Sequence, residues 1–171
     1  MDPRRPITEH RARSVAAPLP VVWETVLAIG GPGGWGTFEP AWRLRGRLDQ
    51  VVGGPGMRGR PRRQLLVGDA VDLWCVDELS SGESLVLRSE ARMPGTAWMR
   101  LQVMPLSADR TLLTQDVIFE PGGPFGLPGR LMWFAELGAH KAVFASMVRD
   151  LARAAEQEHD DRSRRRRRGA S

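Results

Sequence analysis

Hydrophobic and polar positions change rhythm several times along the chain, and each change marks an element. Thr8 to Ala17 predicts a first strand with its apolar end at Ser14 to Ala17. Pro18-Leu19-Pro20 then opens a helix, because the first-turn N–H groups that proline lacks have no intrahelical partner anyway. Val22, Val26 and Ile29 follow at helical spacing, flanked by Trp23 and Leu27, and Gly30-Gly31 stops the helix. Gly30 to Gly36 predicts a loop that lets Trp35 fold back. Trp42 to Val52 alternates, with Trp42, Leu44, Gly46 and Leu48 on one face and Arg43, Arg45 and Arg47 on the other. That period of two predicts a half-buried strand.

A second loop, Gly53 to Arg63, carries Arg58, Arg60, Arg62 and Arg63 among glycine and proline. Four strands follow, Val67 to Leu79, Ser84 to Met93, Thr96 to Leu106 and Thr111 to Glu120, separated by tight-turn residues. Their even spacing predicts an antiparallel meander. Pro128-Gly129 precedes a long helix over Arg130 to Glu156. Its stripe runs through Leu131, Phe134, Leu137 (or Gly138), Lys141, Phe144, Val148 and Leu151, with Trp133, His140, Met147 and Ala154 beside it. Beyond Glu156 the chain turns polar and ends in the run Arg164 to Arg168. The expected organisation is a flexible arm at 1–7, one domain at 8–156 and a disordered Arg-rich tail at 157–171. A meander exposes one apolar face, and a long amphipathic helix is its natural cover. The fold class is therefore α+β, a curved antiparallel sheet wrapped around a long C-terminal helix, with a cavity between them wherever large side chains do not fill it.

Composition narrows the function classes. The chain has 171 residues, 42% of them apolar, and a net charge of +5. Residues 1–13 and 156–171 each carry a net +2, which leaves the body near +1. The basic character belongs to the ends, which argues against specific nucleic-acid binding by the domain. The single Cys75 excludes an internal disulfide and a cysteine-built metal site, and reads as a buried apolar thiol. The N-terminus has no apolar signal-type segment, and no apolar run reaches the ~18 residues of a membrane helix. A cytoplasmic protein without membrane insertion is expected. The loop Gly30 to Gly36 follows a helix and lacks the Lys-Ser/Thr of a phosphate-binding loop, so no nucleotide cofactor is expected, and no other cofactor is implied.

A spaced series of residues resembles the bacterial family DUF2867. It comprises Ile29-Gly30-Gly31, Gly34-Trp35, the stretch from Trp42 to Asp49, Gly53-Gly54, Gly56, Arg58-Gly59-Arg60 and Gly68 to Trp74. It continues through Glu90, Met93-Pro94-Gly95, Ala97-Trp98, Gln115, Phe119-Glu120-Pro121 and His140 to Met147. The resemblance covers about Ser14 to Leu151. That family is similar to the SRPBCC superfamily, with its START and polyketide-cyclase helix-grip fold. The resemblance implies a deep hydrophobic pocket between sheet and helix and a functional link to a short-chain-dehydrogenase-like protein, but no activity. Cys75 stands where the family has Arg, and Gly36 and Phe134 stand at positions commonly Tyr. This chain contains no Tyr.

Candidate site residues divide by chemistry. Asp72 and Glu90 are carboxylates within apolar or strand-like sequence. In a cavity, desolvation would raise their pKa values and make them proton-transfer groups or polar anchors; on a solvated face they would pair with Arg88, Arg92 or Arg100. His140 lies mid-helix, either packed or at the pocket wall with a titratable nitrogen. Trp74, Trp98 and Trp133 supply broad apolar walls with one donor each, and Gln115 a polar group. Arg58 and Arg60 can clamp a carboxylate or phosphate if they stand at the mouth. No metal site can be assembled from one mid-chain His and scattered carboxylates. The leading expectation is a binding protein for a small apolar or amphipathic ligand, anionic if the arginine loop gates the pocket. The alternatives are a cyclase- or dehydratase-like enzyme using the carboxylates and His140, and binding of nucleic acid or an acidic surface through the Arg tail. No catalytic residue is identified.

Overall fold

The two longest strands have the cleanest alternation, and they build the middle of the sheet. In β5 (Gly95–Ser107) the residues Ala97, Met99, Leu101 and Val103 are buried, and in β6 (Arg110–Pro121) Leu113, Gln115, Val117 and Phe119. The two strands pair antiparallel with Ala97 opposite Phe119 and Met99 opposite Val117, so both apolar rows face the same side. The structure is a computed structural model. It describes residues 5–30, 34–37 and 39–169, excepting the side chains at 136, 137 and 139.

The remaining elements are β1 (Ile7–Val15), α1 (Leu19–Leu27), α2 (Glu39–Val51), β2 (Ala70–Val71), β3 (Trp74–Ser80), β4 (Ser84–Ser89) and α3 (Leu127–Gly169). The strands form one antiparallel sheet in the order β1-β6-β5-β4-β3-β2. The meander β3 to β6 and the first strand thus stand where their sequence patterns place them. The sheet wraps α3, whose buried side carries Trp133, Phe144, Met147, Val148, Ala152 and Ala155. Leu131 and Phe134, expected on that stripe, are 65% and 57% exposed. The helix is rotated so that the more voluminous Trp133 enters the core. The α1 helix buries Val22, Trp23 and Val26 in the same cluster.

Three expectations are corrected. First, Trp42 to Val51 is helix, not strand. Pro40 stands in its first turn, Glu39 pairs with Arg43 at i,i+4, and Arg45 lies 3.7 Å from Asp49 at the same spacing. The helix buries Trp42, Gly46 and Asp49, at i, i+4 and i+7. A side chain on Gly46 would stand 2.5 Å from Met57 Cγ, so glycine lets the following loop cross the helix closely. Second, the strand expected over Val67 to Leu79 is broken after Val71, because Asp72 takes a left-handed φ of 56°. Aspartate tolerates that conformation better than most residues. Third, α3 continues to Gly169, through residues 157–169 expected to be a tail. Arg162 there bonds Glu158 one turn back and Glu24 on α1, at 2.7 and 2.6 Å, and arginine is a good helix former. The first four residues of the arm, residues 31–33 of the first glycine loop, and residues 170–171 lie outside the described residues.

Candidate functional site

A cavity of about 260 Å³ lies between α2, the sheet and the N-terminal half of α3. Its walls follow from the alternation. Val117 and Phe119 come from β6, Ala97 from β5, and Leu73 and Trp74 from the turn into β3. Ala91 and Met93 follow β4, while α3 adds Met132, Trp133, His140, Val143 and Phe144. The roof is α2, through Trp42, Leu44, Arg45 and Leu48. Leu44 and Leu48 are more than half exposed, which places them at the rim. Five aromatic residues make a nearly continuous surface: Phe119 stacks on Trp133 at 5.0 Å, and Trp42 meets Trp74 at 6.2 Å and Phe144 at 5.7 Å, edge to face. His140 stands edge-on between Trp133 (4.9 Å) and Phe144 (5.8 Å). Polar groups on this wall are few: Ser89, Arg45, His140 and the indole nitrogens.

Of the residues expected from the sequence, Trp74, Trp133 and His140 come together here. The others serve elsewhere. Asp72 is buried, and its carboxylate accepts the Trp35 indole N–H (2.6 Å) and the Gly59 N–H (3.1 Å). It thereby pins Trp35, folded back as expected, to the arginine loop. Glu90 lies past the end of β4 and pairs with Arg58, and more loosely with Arg88 at 3.6 Å. Arg58 also donates to the carbonyls of Asp72 and Trp74, at 3.3 and 3.2 Å. Arg60 donates to the carbonyls of Leu27 and Ile29 (2.6 and 3.0 Å), capping the C-terminal end of α1. Two guanidinium groups expected as a clamp are therefore turned onto the protein itself. Trp98 bonds Asp77 at 3.2 Å, outside the cavity. Gln115 is fully buried deeper in the sheet, against the sulfurs of Met99 and Met147. Cys75 is half-buried rather than core. Among the described residues no three His, Cys, Asp or Glu side chains gather as a metal site would require, and no helix is long and apolar enough to cross a membrane.

Arg63 holds Asp69 with two bonds of 2.7 Å, and the Leu66 N–H adds a third. These bonds, the arginine first, keep the Asp69 carboxyl below its ordinary pKa and raise that of Arg63. The stabilisation is thus present above the ordinary Asp pKa and fades as pH falls through the lowered value. Amide exchange at Leu66 is expected to accelerate over that acidic window relative to its intrinsic rate. An unchanged protection factor there would contradict the clamp.

Three lining or supporting residues escape sequence reasoning. Trp42 is hidden in a segment read as strand, Phe119 has no chemical signature, and Asp49 looks like a surface charge. Asp49 is fully buried. Its oxygens accept the N–H groups of Gly56 (2.9 Å) and Arg92 (2.6 Å), tying α2 both to the following loop and to the segment after β4. The signals that find α2 are Pro40, the i,i+4 pairs and the Gly53-Gly54 stop after Val51.

A curved antiparallel sheet gripping a long C-terminal helix, with an apolar cavity under α2, defines the helix-grip fold. The chain belongs to the family DUF2867, described as protein of unknown function, whose pattern matches residues 7–147. Solved structures of the same architecture include norcoclaurine synthase of Thalictrum flavum (9% identity, 90% of this chain, 96% of that one, TM-score 0.55). The Zhui aromatase/cyclase from Streptomyces sp. R1128 matches at 16% identity over 93% and 96% of the two chains, TM-score 0.50. A Thermobifida fusca protein matches at 21% identity over 89% and 95%, TM-score 0.51. At these identities the likeness establishes fold alone. No curated protein matches the chain.

Proposed function

We propose that this protein binds a small, mostly apolar ligand of one or two fused rings in the cavity under α2. The observation that supports it is the cavity itself, about 260 Å³ with almost entirely apolar and aromatic walls. An apolar cavity of roughly 150 Å³ takes benzene, and drug-sized pockets begin at ~300 Å³. The space between those limits suits a naphthalene-sized compound. Flat indole and phenyl walls favour a flat ring by contact area and stacking.

The enzyme reading finds less support. Proton transfer between two cavity groups needs both on one wall. Of Asp72, Glu90 and His140, only His140 lines this cavity.

Titration with 2-naphthol is expected to quench tryptophan fluorescence saturably, since Trp42, Trp74 and Trp133 line the space. Ala91→Phe and Ala97→Leu, which fill it from two sides, should each weaken binding at least tenfold. Quenching that never saturates, or affinity indifferent to both variants, would remove the proposal.

A further inference from the structure

Among the described residues that line the cavity, Arg45 is the only Arg, Lys, Asp or Glu. It stands on α2 with Ala41 four residues before it and Leu48 three after, both lining residues, so a guanidinium interrupts a helical stripe that is otherwise apolar. A charge in such surroundings calls for a partner. The protein supplies a poor one. Arg45 approaches Asp49 Oδ1 at 3.7 Å, beyond hydrogen-bond distance, and that carboxylate already accepts the N–H groups of Gly56 and Arg92. Arg45 makes no hydrogen bond among the described residues. The arginines of the following loop differ: Arg58 and Arg60 donate to backbone carbonyls, and Arg63 to Asp69. The Arg45 side chain is 26% exposed and lies between Leu44 and Leu48 of the rim, which puts it at the mouth rather than the floor.

We infer that Arg45 receives an acidic group of the ligand, so that the cavity takes a flat ring compound bearing a carboxylate, with the ring inside and the carboxylate at the mouth. This rests on the ligand-binding reading above and names its ligand class. A planar guanidinium offers five donors in a fork that meets a carboxylate with two parallel bonds. No acidic lining residue opposes an anion. Partial exposure helps, because a pair formed at the mouth is not taken wholly out of water, and the dehydration cost that offsets buried ion pairs is smaller. A cation of the same shape meets repulsion, and a neutral compound gains no charge pairing. Ser89 and His140 on the same wall can also bond a ligand oxygen. Substitution of Arg45 separates their share from its own.

The test uses three compounds of one shape and three charges, 2-naphthoate, 2-naphthamide and 2-naphthamidine, titrated calorimetrically into the full chain at neutral pH. The unaltered protein is expected to bind the carboxylate at least tenfold tighter than the amide, and the amide tighter than the amidinium. Added salt should weaken carboxylate binding and leave the amide unmoved. Arg45→Met keeps an unbranched stem and removes the charge. It should bring the carboxylate-to-amide ratio below threefold, with amide affinity within twofold of the parent's. Arg47→Met removes the same charge from an exposed position of α2 outside the cavity wall, and should leave the ratio unchanged. That control separates a contact from the general attraction of a chain of net charge +5. Should Arg45→Met fold poorly, Arg45→Lys keeps a point charge without the fork and should retain only part of the ratio. Equal affinities in the unaltered protein, a ratio that survives the Arg45 substitutions, or a ratio lost equally in Arg47→Met would overturn the assignment to Arg45 while leaving ligand binding intact. Saturable binding of none of the three, together with no saturable 2-naphthol signal, would overturn both.

Discussion

Replacing Asp49 by alanine is expected to cost about 3 kcal/mol of stability, because two N–H groups, the buried one of Gly56 and the part-buried one of Arg92, lose their acceptor at roughly 1–3 kcal/mol each, the second toward the lower end. In a chain of this size that corresponds to a midpoint lowered by roughly 10 °C. Asp49→Asn keeps one carbonyl oxygen but turns an N–H toward a backbone donor, so it should recover only part of the loss. The damage should also reach the site, since Asp49 holds α2 over the cavity, and 2-naphthol affinity should fall with stability. Urea denaturation decides the matter: a midpoint for Asp49→Ala equal to the parent's would mean that the carboxylate carries little of the fold.

Phe119→Ala is expected to cost a similar amount, about 4 kcal/mol, the scale for emptying a phenyl ring from a core. Phe119 is fully buried near the end of β6, opposite Ile7 of β1 and Ala97 of β5, and stacks within 12° of parallel on Trp133. It is also a cavity wall, so its loss should enlarge the space by about one ring. Size preference should therefore move, with the affinity of the three-ring 9-phenanthrol rising relative to 2-naphthol. A variant as stable as its parent, or an unmoved preference, would show that the ring neither packs nor bounds the site as the structure has it.

These two residues mark what the sequence could and could not disclose. Phe119 belongs to a strand whose alternation is plain, so its inward direction was legible; only its partnership with Trp133, from a helix, was not. Asp49 was illegible. The buried face of α2 consists of tryptophan, glycine and aspartate, and a method that looks for apolar residues at helical spacing finds none there. The exposed Leu44 and Leu48 meanwhile fit a period of two. Asp72 misled for a related reason. Among Val71, Leu73 and Trp74 it reads as mid-strand, but a short carboxylate that can accept the Trp35 and Gly59 donors stabilises a left-handed turn instead. The arginine loop looked like an anion clamp because charge says nothing of partners. In the fold both Arg58 and Arg60 donate to backbone carbonyls, and Arg58 also pairs with Glu90.

By itself the sequence determined the class of fold: one strand, one helix, a four-strand meander and a long covering helix. Those features depend on neighbours within about ten residues, where period and turn chemistry act. Tertiary structure alone decided the site. Whether a tryptophan N–H finds a carboxylate, as that of Trp35 finds Asp72, depends on residues distant in sequence. So does whether α2 becomes the cavity's roof. Hydrogen bonds and packing between remote segments have no local period, and the cavity emerges only when those segments meet.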